Sequence, residues 1–271
     1  MGNPRLVLNT SHPKLFNMDR DHADMKRRRF IITAGGFLVS FCSHGQESLE
    51  LEIKRMGGQV FIDPTTKRIV EINLNGHRQL DKTIYQRIKR EVAITDLSLE
   101  STPTSDSNLK LLCSLRNLEW LNLYRTEITD RGVACLSDLP RLAHLPIGET
   151  QITDKGLKSI GKLTNLEYLG LRKTSISNEG LRHLKELKKL SGLHLGETAV
   201  TNEGLPHLAS LTTLKKLWLH DTQINDQGLV ALSKLNALQQ LMVYNTGVTQ
   251  KGYQFLHRHL PGCLIVYRIE D

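Results

Sequence analysis

Aromatic residues make up only 5% of this 271-residue chain, and it has four cysteines. No apolar run is long enough to span a membrane comfortably; the longest, Phe30–Cys42, has 13 residues. No nucleotide-binding loop, zinc-protease motif or nucleophile elbow is present, which removes the commonest routes to phosphoryl transfer, metalloproteolysis and ester hydrolysis. Cysteines in C-x-x-C spacing are also missing. Cys113, Cys135 and Cys263 lie at unequal intervals and read as buried thiols rather than metal ligands or disulfides. His257 and His259 flank Arg258 and read as solvated surface. Lys185, Lys188 and Lys189 suit the negative end of a helix dipole and call for no ligand. The formal net charge is +8, but residues 1–45 hold +4 of it, leaving +4 for the 226 residues that follow. A pI of about 9.3 therefore does not point to nucleic acid.

What the sequence does have is a repeat. Leu118, Leu142, Leu166, Leu190, Leu214 and Leu238 open six copies at a constant 24-residue spacing, without insertion or deletion. Three residues on come Leu121, Leu145, Leu169, Leu193, Leu217 and Leu241, and five on come Leu123, Ile147, Leu171, Leu195, Leu219 and Val243. Every copy has Thr at the ninth position (Thr126 to Thr246) and Gly at the fifteenth (Gly132 to Gly252). The L-x-L core alternates with period two, so it predicts a short strand with its leucines facing inward. The second half turns to helical spacing, as in Gly180, Leu181, Leu184 and Leu187. Strand, turn, helix and return in 24 residues make one coil, and one coil cannot bury its apolar positions alone. Stacking buries them, so the fold class is an α/β solenoid, right-handed because parallel strand–helix–strand crossovers are.

This pattern, L-x-x-L-x-L-x-x-T-x-I-T-D-x-G-L-x-x-L, closely resembles the bacterial leucine-rich repeats of ribonuclease-inhibitor-like type. The resemblance covers roughly residues 60–271 and implies a parallel concave sheet with convex helices. Within it, the Thr column stands where many such families carry Asn, and its hydroxyl is expected to satisfy a backbone group at the turn leaving the strand. The Gly column is expected to allow close coil packing or an unusual dihedral. Folds of this kind host many functions, so the resemblance alone does not name one.

Ahead of the repeats, residues 1–45 read as an export signal. Met25 is the expected true start, followed by Lys26–Arg29, the apolar run and small polar residues. Arg27–Ile31 resembles a twin-arginine signal and Leu38–Cys42 a lipobox with Phe41 in its small-residue place. Export to the periplasm, cell surface or outside is expected, with a cytoplasmic chain carrying a basic apolar tail as the alternative. Membrane attachment is expected only through that segment, uncleaved or lipidated. Residues 46–59 read as a polar linker and 60–93 as a β-hairpin cap with a first coil, its helix at Asp81–Glu91. Residues 94–259 are the repeats, the first degenerate with Thr104 in the Ile slot and Asn108 in the Gly slot, and 260–271 a C-terminal cap with Leu264–Val266 as a last strand closing the stack. Eight stacked parallel strands are expected.

The residues between the strand leucines should face outward on the concave side. They collect both tryptophans and three of six tyrosines of an aromatic-poor chain. Trp120, His144 and Tyr168 lie in one column, His194 and Trp218 in the next, and Tyr124, His220 and Tyr244 in the third. Aromatics on a solvated face imply a partner; cross-strand packing among themselves is the competing explanation. The expected function is a non-catalytic module binding a protein or peptide at these eight residues, with no cofactor and no metal. A carbohydrate or envelope-polymer binder is the alternative, since Trp and Tyr also stack on sugars. A hydrolytic or metal site at His144, His194 and His220 with Asp221 ranks below both. So does an F-box-type adaptor, for which the first 59 residues lack the helical apolar pattern.

Overall fold

A computed structural model describes residues 47–268, so the export-signal reading of residues 1–45 lies outside the described residues. Ten strands form one sheet in strict chain order. Strand β1 (Gln59–Ile62) pairs antiparallel with β2 (Ile69–Asn73), around a turn in which the Asp63 carboxylate accepts from the Thr65 and Thr66 amides. From β2 onward every pairing is parallel: β3 (Asp96–Ser98), β4 (Trp120–Asn122), β5 (His144–Pro146), β6 (Tyr168–Gly170), β7 (Gly192–His194), β8 (Lys216–Trp218), β9 (Gln240–Met242) and β10 (Leu264–Val266). That makes nine parallel strands, the expected eight together with the expected closing strand at Leu264–Val266, which pairs with the open edge of β9.

The repeat leucines form one continuous core, from Leu118, Leu121 and Leu123 through Leu214, Leu217 and Leu219, all fully buried. Each such side chain contributes about 1.5–3 kcal/mol relative to exposure. The convex layer is less regular than its helical spacing implies. Asp106–Leu112, Asp154–Ile160 and Gln250–His259 are α-helical, whereas Gly132–Asp138, Arg182–Leu184 and Leu205–Ser210 are 3-10 turns.

The two invariant columns have separate physical causes. The Thr126, Thr150, Thr174, Thr198 and Thr222 hydroxyls each donate at 2.6 Å to the carbonyl three residues back, as expected. The Gly column serves packing, not dihedral strain: Gly204 and Gly228 have φ of −79° and −65°. A Cβ at Gly156 would come within 2.6 Å of the Asp130 carboxylate, and one at Gly180 would overlap that of Asp154. Those carboxylates are occupied holding coils together. Asp130 accepts from the Thr153 amide (2.8 Å) and hydroxyl (2.6 Å), and Asp154 does the same for Ser177.

The N-terminal end departs from expectation. Residues 46–59 are not merely a linker: Leu49–Arg55 is a helix, capped by Ser48, whose Leu49 and Ile53 seal the first coil. Arg87 anchors it through the Glu52 carboxylate and the Glu47 carbonyl (2.5 Å). The helix expected at Asp81–Glu91 runs over Lys82–Ile88, with Asp81 as its N-cap. Thr104 is fully buried, yet its hydroxyl is satisfied by Tyr85 (2.8 Å) and Thr102 (2.7 Å), and Asn108 closes a capping box with Ser105. The cysteine reading is corrected in one pair. Cys113 and Cys135 form a disulfide between adjacent convex segments, while Cys263 is a free buried thiol. Unequal intervals mislead because the pair spans two different columns of neighbouring coils.

Candidate functional site on the concave face

The parallel register places β6, β7, β8 and β9 side by side, so Tyr168 neighbours Gly192, and His194 neighbours Trp218. Rings from successive coils then meet. His194 stacks on Trp218 at 5.4 Å between centroids, Tyr168 meets Trp218 edge-on at 6.3 Å, His194 meets His220 edge-on at 5.2 Å, and His220 stacks on Tyr244 at 4.7 Å. The result is a paved floor. Trp218 and Tyr168 are only 2% exposed, and His194, His220 and Tyr124 are also buried. The expectation of solvated aromatics is therefore corrected for these five. Trp120, His144 and Tyr244 remain half-exposed.

Glycines make the paving possible, a signal that was in the sequence but not read. A Cβ at Gly196 would lie 2.6 Å from the His220 ring, one at Gly192 2.9 Å from Tyr168, and one at Gly148 3.0 Å from Tyr124. Each glycine gives up its side chain to the ring of an adjacent coil. A second missed column precedes the threonines. Ser101, Arg125, Glu149, Lys173, Glu197, Asp221 and Asn245 all have φ between 50° and 57°. Left-handed backbone at non-glycine residues costs roughly 1–2 kcal/mol each. It is held by amide bonds to the next coil, such as Glu149 to the Arg172 carbonyl (2.8 Å) and Glu197 to the His220 carbonyl (3.0 Å).

This column lines one rim of the face with charge. Glu149 receives Arg125 (2.7 Å), Arg172 (3.1 Å) and the Tyr124 hydroxyl, and Arg172 also pairs with Glu197. Despite desolvation, the Arg125 and Tyr124 bonds hold the Glu149 carboxyl below its ordinary range. Burial, and then the Glu149 bond, push the Tyr124 phenol up. The two histidines have distinct roles. His194 Nδ1 accepts from the Gly196 amide at 3.2 Å, and burial with His220 and Arg172 nearby lowers its pKa to about 3. Its lone pair is in use, so His194 is a spacer rather than a base. His220 Nδ1–H donates to Asp221 at 2.7 Å.

With this geometry described, the sequence profile of the leucine-rich repeat region matches residues 92–266. The chain belongs to the leucine-rich repeat family. No curated protein matches the chain. Among solved structures it is similar to internalin C2 of Listeria monocytogenes, with 25% identity and a TM-score of 0.52, covering 67% of this chain and 80% of that one. Two Arabidopsis thaliana receptor-kinase ectodomains share the fold. GASSHO1/SCHENGEN3, solved with CASPARIAN STRIP INTEGRITY FACTOR 2, has 18% identity and a TM-score of 0.52; HAESA, solved with an IDA peptide hormone ligand, has 16% and 0.51. They cover 76% and 70% of this chain, which spans only 25% and 36% of theirs.

Proposed function

We propose that this leucine-rich repeat protein is a non-catalytic interaction module that takes a protein or peptide segment along its concave face. The observation that carries the reading is a floor of buried, mutually packed rings with a half-exposed row on it. Trp120, His144, Lys216 and Gln240 lie in one column across the sheet, and Tyr244 stands beyond them. A floor already ordered by stacking lowers the side-chain entropy a partner must overcome. Both plant ectodomains were solved in complexes, one with a peptide hormone, which illustrates what the fold can accommodate. The partner-contact set narrows accordingly: Tyr124, Tyr168, His194, Trp218 and His220 support the surface, and Trp120, His144 and Tyr244 meet the partner. A sugar-binding face is less well supported, because His194 and His220 already cover faces of Trp218 and Tyr244.

Export accords with the Cys113–Cys135 disulfide, since such bonds persist in oxidising compartments. Among the described residues, no helix is long and apolar enough to cross a membrane. The test starts with a partner captured by the wild-type chain and measured by calorimetry. Trp120→Ala and Lys216→Glu should each weaken binding by about 2 kcal/mol, roughly thirtyfold. Lys158→Glu on the convex helix should change nothing. Weakening by the convex variant alone overturns the reading, and polysaccharide capture in place of protein replaces it.

A further inference from the structure

We propose that Glu197, His220 and Asp221 form a binding site for one divalent transition cation of the zinc class, at the rim of the concave sheet. Each offers a ligand atom, and the three atoms lie within 4.8 Å of one another. Ligands around a tetrahedral zinc ion, each about 2.0–2.2 Å from the metal, are roughly 3.3 Å apart. The His220–Asp221 pair is at 2.7 Å, bridged by the Nδ1 proton, which leaves as the ion takes its place and the pair opens to the ligand spacing. Glu197 has only to swing inward from Arg172, and its side chain is 27% exposed.

Three independent features aim these groups. Glu197 and Asp221 are both left-handed, φ 57° and 55°, which presents their side chains from equivalent turns of adjacent coils. Gly196 leaves the space in which the His220 ring lies, and Tyr244 stacked at 4.7 Å fixes the ring's plane. Asn245 donates to the other Asp221 oxygen at 3.0 Å, the kind of outer bond that orients a ligating carboxylate. Imidazole with two carboxylates suits zinc, cobalt or manganese over calcium, which favours oxygen alone. Two carboxylates neutralise the ion, and three protein ligands leave a coordination position open. Arg172 opposes it, since its guanidinium pairs with Glu197. It holds only Oε1, and Oε2 has no partner among the described residues.

The full chain, freed of metal with chelator, is titrated with Zn2+ and Co2+ by calorimetry, and the cobalt form is read by visible absorption. One ion per chain is expected. Glu197→Gln and Asp221→Asn should each weaken it by at least about tenfold, the scale of loss seen even for outer-sphere partners. Arg172→Gln should tighten it by removing the competing cation, a gain that mere structural damage would not produce. Overturning results are no bound ion, affinity unchanged in the carboxylate variants, or no gain in Arg172→Gln. Loss on His257→Gln with His259→Gln would place the ion at the C-terminal helix and also overturn the site. Calcium binding as tight as zinc would overturn the class of ion.

Discussion

At His194 the two ring nitrogens are treated differently: Nδ1 accepts from the Gly196 amide, and the ring is buried between Trp218 and His220. The folded state keeps its pKa at about 3, against 6.5 for a free histidine. Below pH 6.5 the unfolded chain therefore takes up a proton that the folded chain refuses. This residue's stabilisation is complete above that pH and is lost as pH falls towards 3, by at most about 1.4 kcal/mol per pH unit. His194→Phe, which preserves the stack, should flatten the fall in urea midpoint between pH 6 and 4. An unchanged slope would show that His194 is protonated in the folded protein. Trp218 belongs to the same packed group, and its truncation would cost roughly 3–5 kcal/mol of stability. Half-exposed Trp120 is thus the better probe of binding.

Among the described residues, the disulfide is the one covalent tie between elements. Cys113 follows the Asp106–Leu112 helix and Cys135 sits in the Gly132–Asp138 turn, 22 residues on. Closing a loop of that size restricts the unfolded chain by about 3 kcal/mol. Cys135→Ser should lower the urea midpoint correspondingly, and a reductant should lower that of the wild type but not of the variant. Equal reductant effects on both would mean that the cysteines are not paired. Asp106 ties the same two coils non-covalently through Thr129, Asp130 and Asp154 repeat the tie in the coils that follow, and the Gly column leaves room for these carboxylates.

Across the described solenoid the sheet and core contacts join each coil to its immediate neighbours, with the Arg172–Tyr124 bond (2.9 Å) reaching across one coil, so stability is close to a chain of nearest-neighbour interfaces and the ends are weakest. At the N-terminal end, Ile53 of the capping helix is fully buried. Ile53→Ala should cost about 2–4 kcal/mol locally. Hydrogen exchange should speed up over residues 59–90 while β7 and β8 stay protected. Acceleration throughout would show instead that the array unfolds as one cooperative unit.

The 24-residue period settled the repeat, the inward leucines, the threonine bonds and the parallel order, because each depends on spacing along the chain. Those features are local: a leucine five residues after another points inward wherever the coil sits. Tertiary structure decided the Cys113–Cys135 pairing, the sealed aromatic floor and the left-handed rim. All three depend on how neighbouring coils stack, which brings Gly196 beneath His220, Arg172 beside Glu197 and Cys113 against Cys135. A single strand shows an aromatic pointing at solvent; only the stacked sheet supplies the neighbouring ring that covers it.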